Sequence, residues 1–436
     1  MNSPVWKSVP LSSCIDKVID FRGKTPKKIG MEWGNGSIRA LSANNVKQGY
    51  IDFKRECYLA SEELYDAWMT KGDCSKGDIV FTMEAPLGNV ALIPDDNKYI
   101  LSQRVILLKP NESVLSEYLF HFMSSESFQN ELNANATGST AKGIKQTRLV
   151  KLKVTLPPTE EQQKIAEVLS TVDKKIDLID QKIAETEKLK TGLMQKLFSE
   201  GVGVQDENGE WQPHTEFQDS PFGKIPQPWS TLELAEIADI EDGDRGKSYP
   251  KQADFSDFGY CLFLSAKNVT KQGFTYETTQ FISQEKHNKL RKGQVLQNDI
   301  VLTTRGTVGN FGLFKHEELF DAVRINSGMA IIRCIDSSMP NYLYQFMQSP
   351  QFKAQISKVV FGSAQPQLTI KQIKKFKVLV PISEEKKWIE ETLKLVNDKL
   401  TLLEQQKAET QQLKKGLMQK LLTGEWRVPV EETEAA

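Results

Sequence analysis

A long charged segment occurs twice in this chain. Thr159 to Phe198 reads TEEQQKIAEVLSTVDKKIDLIDQKIAETEKLKTGLMQKLF, and Ser383 to Leu422 reads SEEKKWIEETLKLVNDKLTLLEQQKAETQQLKKGLMQKLL. The copies align without a gap, roughly half of their positions are identical, and both end in GLMQKL plus one residue. Each copy follows a globular stretch, so the chain consists of two halves built on one plan.

Both copies have the pattern of a long helix. Thr159 and Gln162 form a capping-box pattern after two prolines, and Ser383 is the corresponding N-cap. Apolar residues then follow the alternating four-three spacing of a coiled-coil seam: Leu169, Val172, Ile176, Ile179 and Ile183 in the first copy, and Leu393, Val396, Leu400 and Leu403 in the second. A helix of about 40 residues would be a rod of roughly 60 Å.

The repetition extends into the globular parts. Trp6 matches Trp229, Arg22-Gly23-Lys24 matches Arg245-Gly246-Lys247, and Leu41-Ser42-Ala43 matches Leu264-Ser265-Ala266. Between such anchors the halves differ strongly, notably at 27–40, 50–75, 250–262 and 271–296. A common frame with divergent insertions is typical of two related domains that have different targets.

The chain therefore divides into six parts. We expect recognition domains at 1–157 and 229–381, spacer helices at 158–200 and 382–423, a linker loop at 201–228 anchored by Trp211 and Phe222, and a flexible acidic tail at 424–436. Short β-rich runs such as DIVFT and DIVLTT alternate with amphipathic stretches such as YLFHFMSSESFQNEL. The predicted fold class is two α+β (mixed α/β) domains, related by a pseudo-two-fold axis and joined by two long antiparallel coiled-coil helices.

Composition indicates a cytoplasmic protein without a metal centre. Of the 436 residues, 39% are hydrophobic and 26% are charged. There is neither a membrane-span pattern nor a signal-like segment. The five cysteines are scattered without a CxxC pair, and the four histidines are dispersed. A net charge of −1 does not indicate a nucleic-acid-binding protein, so any such role must rest on local basic patches.

Local patches of that kind occur at corresponding places in both halves. Duplex DNA has a dyad like the one expected here, and two related domains can dock on one face about 34 Å apart or slightly more. Lysine and arginine contact phosphates, and asparagine and arginine can make bidentate contacts with bases. The candidate DNA-binding residues are Arg22, Lys24, Lys27, Lys28, Arg39, Asn44, Asn45, Lys142, Lys145 and Arg148 in the first half, and Arg245, Lys247, Lys251, Asn268, Arg305, Lys371, Lys374 and Lys375 in the second. A lysine cluster alone is more often a solvated face, and asparagines more often cap turns; recurrence in both copies favours binding.

Motifs for catalysis are not evident. RGKT and RGKS resemble the end of a phosphate-binding loop, but Val18 and Glu241 stand where its first glycine is required. No Asn-Pro-Pro-aromatic motif for amino-group methylation and no glycine-rich cofactor loop occurs. We therefore expect neither catalytic nor metal-binding residues.

Gly192 and Gly416 occupy the same place in the two helices, where each costs about 1 kcal/mol relative to alanine. Such a repeated glycine suggests that another backbone approaches closely. Two interpretations stay open: the helices cross there, or partner subunits dock there. The candidate partner-binding residues are Gly192, Leu193, Met194, Leu197, Gly416, Leu417, Met418 and Leu421.

Taken together, the chain resembles the specificity subunits of type I restriction-modification systems. The residues that carry the resemblance are LPPTEEQQKIAEVLSTVDKKIDLI, VPISEEKKWIEETLKLVNDKLTLL, the GLMQKL endings with LLTGEWRV, and the Gly-Ser loops at Gly138 and Gly362. The second helix departs from the first at Lys387-Trp388 and has Lys407 at the seam position of Ile183, so the two seams are not expected to be equivalent.

The resemblance implies a non-catalytic reader of double-stranded DNA. Each domain would read one part of a bipartite, asymmetric site. Two methyltransferase subunits would dock on the helices and bind S-adenosylmethionine. Translocating restriction subunits would join them, so that ATP and Mg²⁺ also belong to partners and this chain needs no cofactor. Two other classes stay open: a coiled-coil scaffold with protein-binding ends, and an enzyme with an unrecognised site.

Overall fold

The computed structural model describes residues 6–138, 141–315, 319–360 and 367–429. The chain divides into two compact units, one of Met1–Gln181 with Glu404–Ala436 and the other of Lys182–Leu403. Each unit therefore combines one globular domain with a part of each long helix. Three predicted loop positions (Ser139, Gly362 and Ser363) and residues 430–436 of the predicted tail lie outside the described residues.

The domain of the first unit is α+β. Its strands are β1 (Lys7–Pro10), β2 (Ile15–Asp20), β3 (Ile38–Leu41), β4 (Leu59–Ala60), β5 (Ile79–Met83), β6 (Leu87–Leu92), β7 (Tyr99–Leu101), β8 (Val105–Pro110) and β9 (Lys153–Leu156). They form a four-stranded sheet in the order β2-β8-β5-β6, a three-stranded sheet in the order β4-β3-β7, and the pair β1-β9. The helices are α1 (Glu62–Trp68), α2 (Ser116–Ser124), α3 (Glu126–Ala134), α4 (Gln146–Leu149) and α5 (Thr159–Leu197).

The second unit repeats this plan after two hairpins. Its strands are β10 (Val204–Gln205), β11 (Trp211–Gln212), β12 (Phe217–Ser220), β13 (Gly223–Pro226), β14 (Ser230–Glu233), β15 (Ala238–Asp242), β16 (Cys261–Leu264), β17 (Val269–Thr270), β18 (Gly273–Phe274), β19 (Phe281–Ile282), β20 (Ile300–Thr303), β21 (Phe311–Leu313), β22 (Ala322–Ile325), β23 (Met329–Cys334) and β24 (Lys377–Val380). The orders β15-β23-β20-β21, β19-β16-β22 and β14-β24 match those of the first unit. Its helices are α6 (Leu234–Ile237), α7 (Gln284–Lys289), α8 (Pro340–Gln348), α9 (Pro350–Val360), α10 (Ile370–Lys374) and α11 (Ser383–Leu422).

One central strand in each domain lies between two hydrophobic cores. Successive side chains of a strand point to opposite faces. In β5, Ile79, Phe81 and Met83 therefore enter one core, whereas Val80 enters the other. In β20, Ile300 and Leu302 likewise enter one core and Val301 the second. This burial fixes the point at which each strand reaches the surface, and therefore the position of the residues that follow it.

The long helices have the predicted seam. In α5, Leu169 and Ile179 are buried, and the heptad pattern continues to Thr186, whose hydroxyl donates to the carbonyl of Lys182. In α11, Leu393 and Leu403 are buried, and the pattern continues to Thr410. The i−4 hydrogen bonds of the two threonines satisfy hydroxyls that would otherwise be buried without partners.

Within the first unit the two helices run antiparallel. Lys414 pairs with Asp173, and Lys407 Nζ lies 2.6 Å from Asp180 Oδ1. The pairs thus advance along α5 while they go back along α11, which is possible only for antiparallel helices. Lys407 is accommodated at its seam position because this carboxylate balances its charge. The predicted fold class of two α+β domains with two long antiparallel helices is confirmed.

Three sequence-based expectations were wrong in detail. The predicted linker loop 201–228 contains two antiparallel hairpins, β10-β11 and β12-β13. The start of the predicted flexible tail is held in place, since Arg427 Nε donates to Glu161 at 2.8 Å. The side chain of Gln162 does not close a capping box; it accepts from Leu115 N and donates to the carbonyl of Pro157, tying the helix to its own domain.

Candidate nucleic-acid interface

In the first unit, two basic segments that are far apart in sequence line one cleft. Arg22 follows β2, and Lys145 precedes α4. Both side chains line a cleft of about 360 Å³, together with Glu84, Thr137 and Gly143. Asp20 holds Arg22 in place, because its carboxylate accepts from Arg22 Nε at 3.0 Å and from Nη2 at 2.6 Å. Hydrogen bonding to Arg22 lowers the pKa of Asp20 against the opposing effect of burial.

A short backbone ladder positions the second segment. Thr137 and Gly143 exchange hydrogen bonds of 2.8 and 2.9 Å, and Ile144 N donates to the carbonyl of Met83 at 3.1 Å. Gly138 has φ +104°, and a Cβ there would lie 2.4 Å from the carbonyl oxygen of Ala141. Lys142, Lys145 and Arg148 are exposed, as phosphate contact requires.

Not every predicted cation is fully available. Lys24 Nζ donates to the carbonyls of Ala67 and Trp68 at 2.9 Å, so two of its three N–H donors are used within the domain, and its role as a DNA ligand stays a prediction. Burial, followed by repulsion from Lys71, lowers the pKa of Lys24. Lys28 is exposed and donates to the carbonyl of Gly23, and Lys27 is exposed.

The predicted asparagine readers differ from one another. Asn45 is 2% exposed; its Oδ1 accepts from Ser42 Oγ and its Nδ2 donates to the carbonyl of Arg55. Asn268 is 3% exposed and bonds in the same way to Ser265, Thr275 and Thr278. Both asparagines shape turns, so their selection as base readers was wrong. Asn44 remains exposed on the same turn as Asn45.

An exposed aromatic surface lies beside this turn and was missed by the sequence analysis. The guanidinium of Arg39 lies 5.0 Å from the ring centre of Phe53. Tyr58 is 60% exposed and stacks on Trp33 with ring centres 5.1 Å apart, and Tyr50 is 59% exposed. The only available signal was the occurrence of several aromatic residues within the divergent segment 50–75.

The second unit also presents cations, but only some stand at the places of those in the first unit: Thr369 and Gln372 take the places of Lys145 and Arg148. Arg245 Nη2 donates to the carbonyl of Ser327 at 3.2 Å, and Arg245 Nε lies 3.8 Å from Asp242 Oδ2, so this arginine is positioned like Arg22. The remaining predicted cations of this domain are exposed: Lys247, Lys251, Arg305, Lys371, Lys374 and Lys375.

The predicted partner surface is largely core. Met194 and Leu197 are 3% and 5% exposed and pack in the core of the second domain, and Leu421 is 5% exposed in the core of the first. Leu193, Leu417 and Met418 are half-buried against the same cores. These apolar residues dock each helix end onto a domain, so the assignment of Met194, Leu197 and Leu421 to a partner surface was wrong.

The two helical glycines face open space. A Cβ added at Gly192 or Gly416 would meet no atom within 4 Å, so the expected close approach of another backbone within this chain was wrong. Gly192 instead lies in a shallow groove of α5 with Glu185, Lys188, Leu189 and Lys196.

One protein-family model matches the chain twice, and each match covers a globular domain and most of the long helix that follows it. The type I restriction modification DNA specificity domain matches residues 6–188 and 226–412. The chain belongs to the type I restriction-modification DNA specificity family. The expected family is thereby confirmed, and the chain carries its domain twice, once for each half of the internal repeat.

Known proteins resemble the chain over a part or nearly all of its length. The MjaVIII specificity subunit of Methanocaldococcus jannaschii is 29% identical over 408 residues, which cover 90% of each chain. The EcoR124I/EcoR124II specificity subunit of Escherichia coli is 28% identical over 182 residues, covering 41% of this chain and 43% of that one. The crystal structure of an S subunit from M. genitalium has a TM-score of 0.56 at 16% identity and covers 97% of both chains, which shows the fold.

Two kinds of feature are absent from the described residues. No described helix combines the length and apolar character needed to cross a membrane. Among the same residues, no group of three or more His, Cys, Asp or Glu side chains could hold a metal ion.

Proposed function

We propose that the chain is the DNA-reading subunit of a type I restriction-modification complex. The observation that carries this proposal is the presence of two copies of the DNA specificity domain, each with an arginine after β2 or β15 and exposed cations around the short helix α4 or α10. In the first domain, Arg22 and Lys145 meet in one cleft although they come from distant segments. Each domain reads one half of a bipartite, asymmetric site, and the divergent segments give the halves different sequences.

Chemistry belongs to partner subunits in this proposal. Two methyltransferase subunits supply S-adenosylmethionine and methylate adenine, and restriction subunits supply the ATP- and Mg²⁺-dependent steps. The chain contributes specificity and holds the subunits on its helices.

We place the methyltransferase docking positions on the exposed side of the helices. Leu189, which is 52% exposed, lies one helical turn before Gly192 in the groove of the second unit. Leu413, which is 53% exposed, stands in the same relation to Gly416 in the first unit. The same exposed leucine and glycine on both helices fit two identical partners. Leu189→Asp and Leu413→Asp should each remove one methyltransferase subunit in native mass spectrometry, whereas Leu395→Asp, at an exposed α11 leucine whose counterpart in α5 is Thr171, serves as the matched control.

Salt dependence of DNA binding tests the reading role. Phosphate contacts release counterions, so the affinity of the complex should fall steeply with salt. Lys142→Ala should weaken binding to all sequences and reduce the slope of log K against log salt by about 1. Glu187→Ala, on an exposed part of α5, is the control. Salt-independent binding would favour the scaffold alternative, and cleavage or methylation by the chain alone would favour the enzyme alternative.

A further inference from the structure

Glu84 and Arg305 occupy the same place in the two domains. Each follows a fully buried strand, β5 or β20. Glu84 forms a β-bridge with Gly143, and Arg305 forms one with Gln367. The preceding residue accepts the same hydrogen bond in both domains, from Ile144 N to Met83 O and from Leu368 N to Thr304 O. The two positions are therefore structurally equivalent, but their charges are opposite.

The residue facing this position changes together with it. Met83 N donates to the carbonyl of Arg104, and Thr304 N donates to the carbonyl of Gly328, so Arg104 and Gly328 are also equivalent. Arg104 Nε lies 3.6 Å from Glu84 Oε1. In the second domain, a Cβ at Gly328 would lie 3.6 Å from Arg305 Cβ. The first domain thus presents a carboxylate with an arginine, and the second presents an arginine beside a glycine.

Folding does not explain the carboxylate. The side chains of Glu84 and Arg104 are 52% and 50% exposed, and exposed ion pairs contribute little to stability. Glu84 nevertheless lies in the cleft of Arg22 and Lys145, where phosphates would repel it. A Cβ at Gly143 would lie only 3.1 Å from Glu84 Cβ, so the glycine leaves room for this side chain. A carboxylate in a phosphate-binding surface can contribute to DNA recognition if it accepts a hydrogen bond from a base.

We propose that positions 84 and 305 determine base specificity in the two half-sites. Glu84 accepts a hydrogen bond from the amino group that cytosine or adenine presents in the major groove. Arg305 donates to O6 and N7 of guanine. The inference rests on the proposed function and adds the chemistry by which one structural position reads different bases.

The test uses the full chain assembled with its methyltransferase subunits and a library of randomised duplex DNA. Selection and sequencing give the preferred base at every position for the wild type, Glu84→Ala and Arg305→Ala. Each variant should lose about 5- to 150-fold discrimination at one base pair, in different half-sites. The base lost with Glu84→Ala, cytosine or adenine, identifies the amino group that is read. Lys142→Ala is the control that should lower affinity without changing any preference.

A transplant makes the test more demanding. Glu84→Arg combined with Arg104→Gly gives the first domain the residues of the second, and it should create a preference for guanine at the affected base pair. If both single variants keep the DNA sequence preference of the wild type, the inference is wrong but the proposed function stands. Equal loss of discrimination at all positions, with an unchanged melting temperature, also overturns the inference. A wild-type complex that enriches no sequence overturns the proposed function itself.

Discussion

His121 shows how one buried side chain links stability to pH. It lies on α2 with 1% of its surface exposed, and its Nε2 is 3.2 Å from Ser170 Oγ on α5. Asp173 Oδ2 is 3.9 Å from His121 Nδ1, but this carboxylate already pairs with Lys414. Burial, followed by repulsion from Lys414, lowers the pKa of His121 to about 3. The imidazole is therefore neutral in the folded protein.

We predict that His121 destabilises the protein in mild acid. An unfolded histidine takes up a proton below about pH 6.5, whereas folded His121 does so only near pH 3. Between these values the unfolded state binds more protons, so the free energy of unfolding falls as pH falls. The variant His121→Gln copies Gln345 of the second domain. Its free energy of unfolding, relative to that of the wild type, should rise by about 1.4 kcal/mol when the pH is lowered from 7.5 to 5.5. Denaturant titrations at both pH values measure this difference; parallel curves for the two proteins would contradict it.

At the scale of elements, each long helix has in its first turn a buried glutamate that accepts a hydrogen bond from a tryptophan. Glu385 Oε2 accepts from Trp229 Nε1 at 2.6 Å, and its Oε1 accepts from the backbone of Val202 and Gly203. Glu161 accepts from Trp6 Nε1 at 3.3 Å and from Arg427. Within each unit, the segment that follows one long helix is thus hydrogen-bonded to the first turn of the other. The helix dipole, which sequence reasoning invoked for these acids, is only a part of their role.

We predict that Glu385→Gln is clearly more destabilising than Glu161→Gln. The Glu385 side chain is fully buried, and an amide in its place would turn one acceptor into a donor that faces other donors. Leaving buried donors without acceptors should cost about 3 kcal/mol. Glu161 meets a partly exposed arginine, so water can replace part of what is lost. Thermal unfolding of both variants shows which one loses more stability. Equal losses of stability would show that the two helix starts are equivalent and would contradict the prediction.

The helices were predictable from sequence because their signals are local. Prolines, an acidic first turn and the four-three spacing of apolar residues act within one helix, and α5 and α11 begin at Thr159 and Ser383 as the pattern indicates. The role of Gln162 was not predictable, because its partner Leu115 is distant in sequence. Met194 was misassigned for the same reason, since an apolar residue on a helix does not reveal whether a domain or a partner covers it.

The recognition surfaces were only half predictable. Exposed cations recur in the repeat, and comparison of its halves located Arg22 with Arg245. Asn45 and Asn268 also recur, but they do so because both domains need the same turn. Repetition therefore marks what the domains have in common, including their scaffold. Residues that distinguish targets are found where the structure is the same and the side chain differs, as at Glu84 and Arg305.

At the scale of the whole molecule, the repeat gives each compact unit one domain and a part of both helices. The spacer role that the sequence leads us to expect for these helices predicts that their length sets the number of unread base pairs between the half-sites. One heptad added to each helix extends it by about 10 Å, equivalent to about three base pairs of duplex. Insertion after Gln181 in α5 and before Glu404 in α11 leaves the Asp173–Lys414 and Asp180–Lys407 pairs in register within the first unit.

The lengthened chain should recognise both original half-sites at a greater separation. Because the insertions leave both globular domains unchanged, the bases read by each should not change. Mapping methylated adenines in cells that carry the altered complex measures half-sites and separation together. Replacement of residues 1–157 by the domain of another family member is the complementary control, because it should change one half-site and leave the separation as it was. An unchanged separation after the double insertion would contradict the spacing role, even if both half-sites were still read.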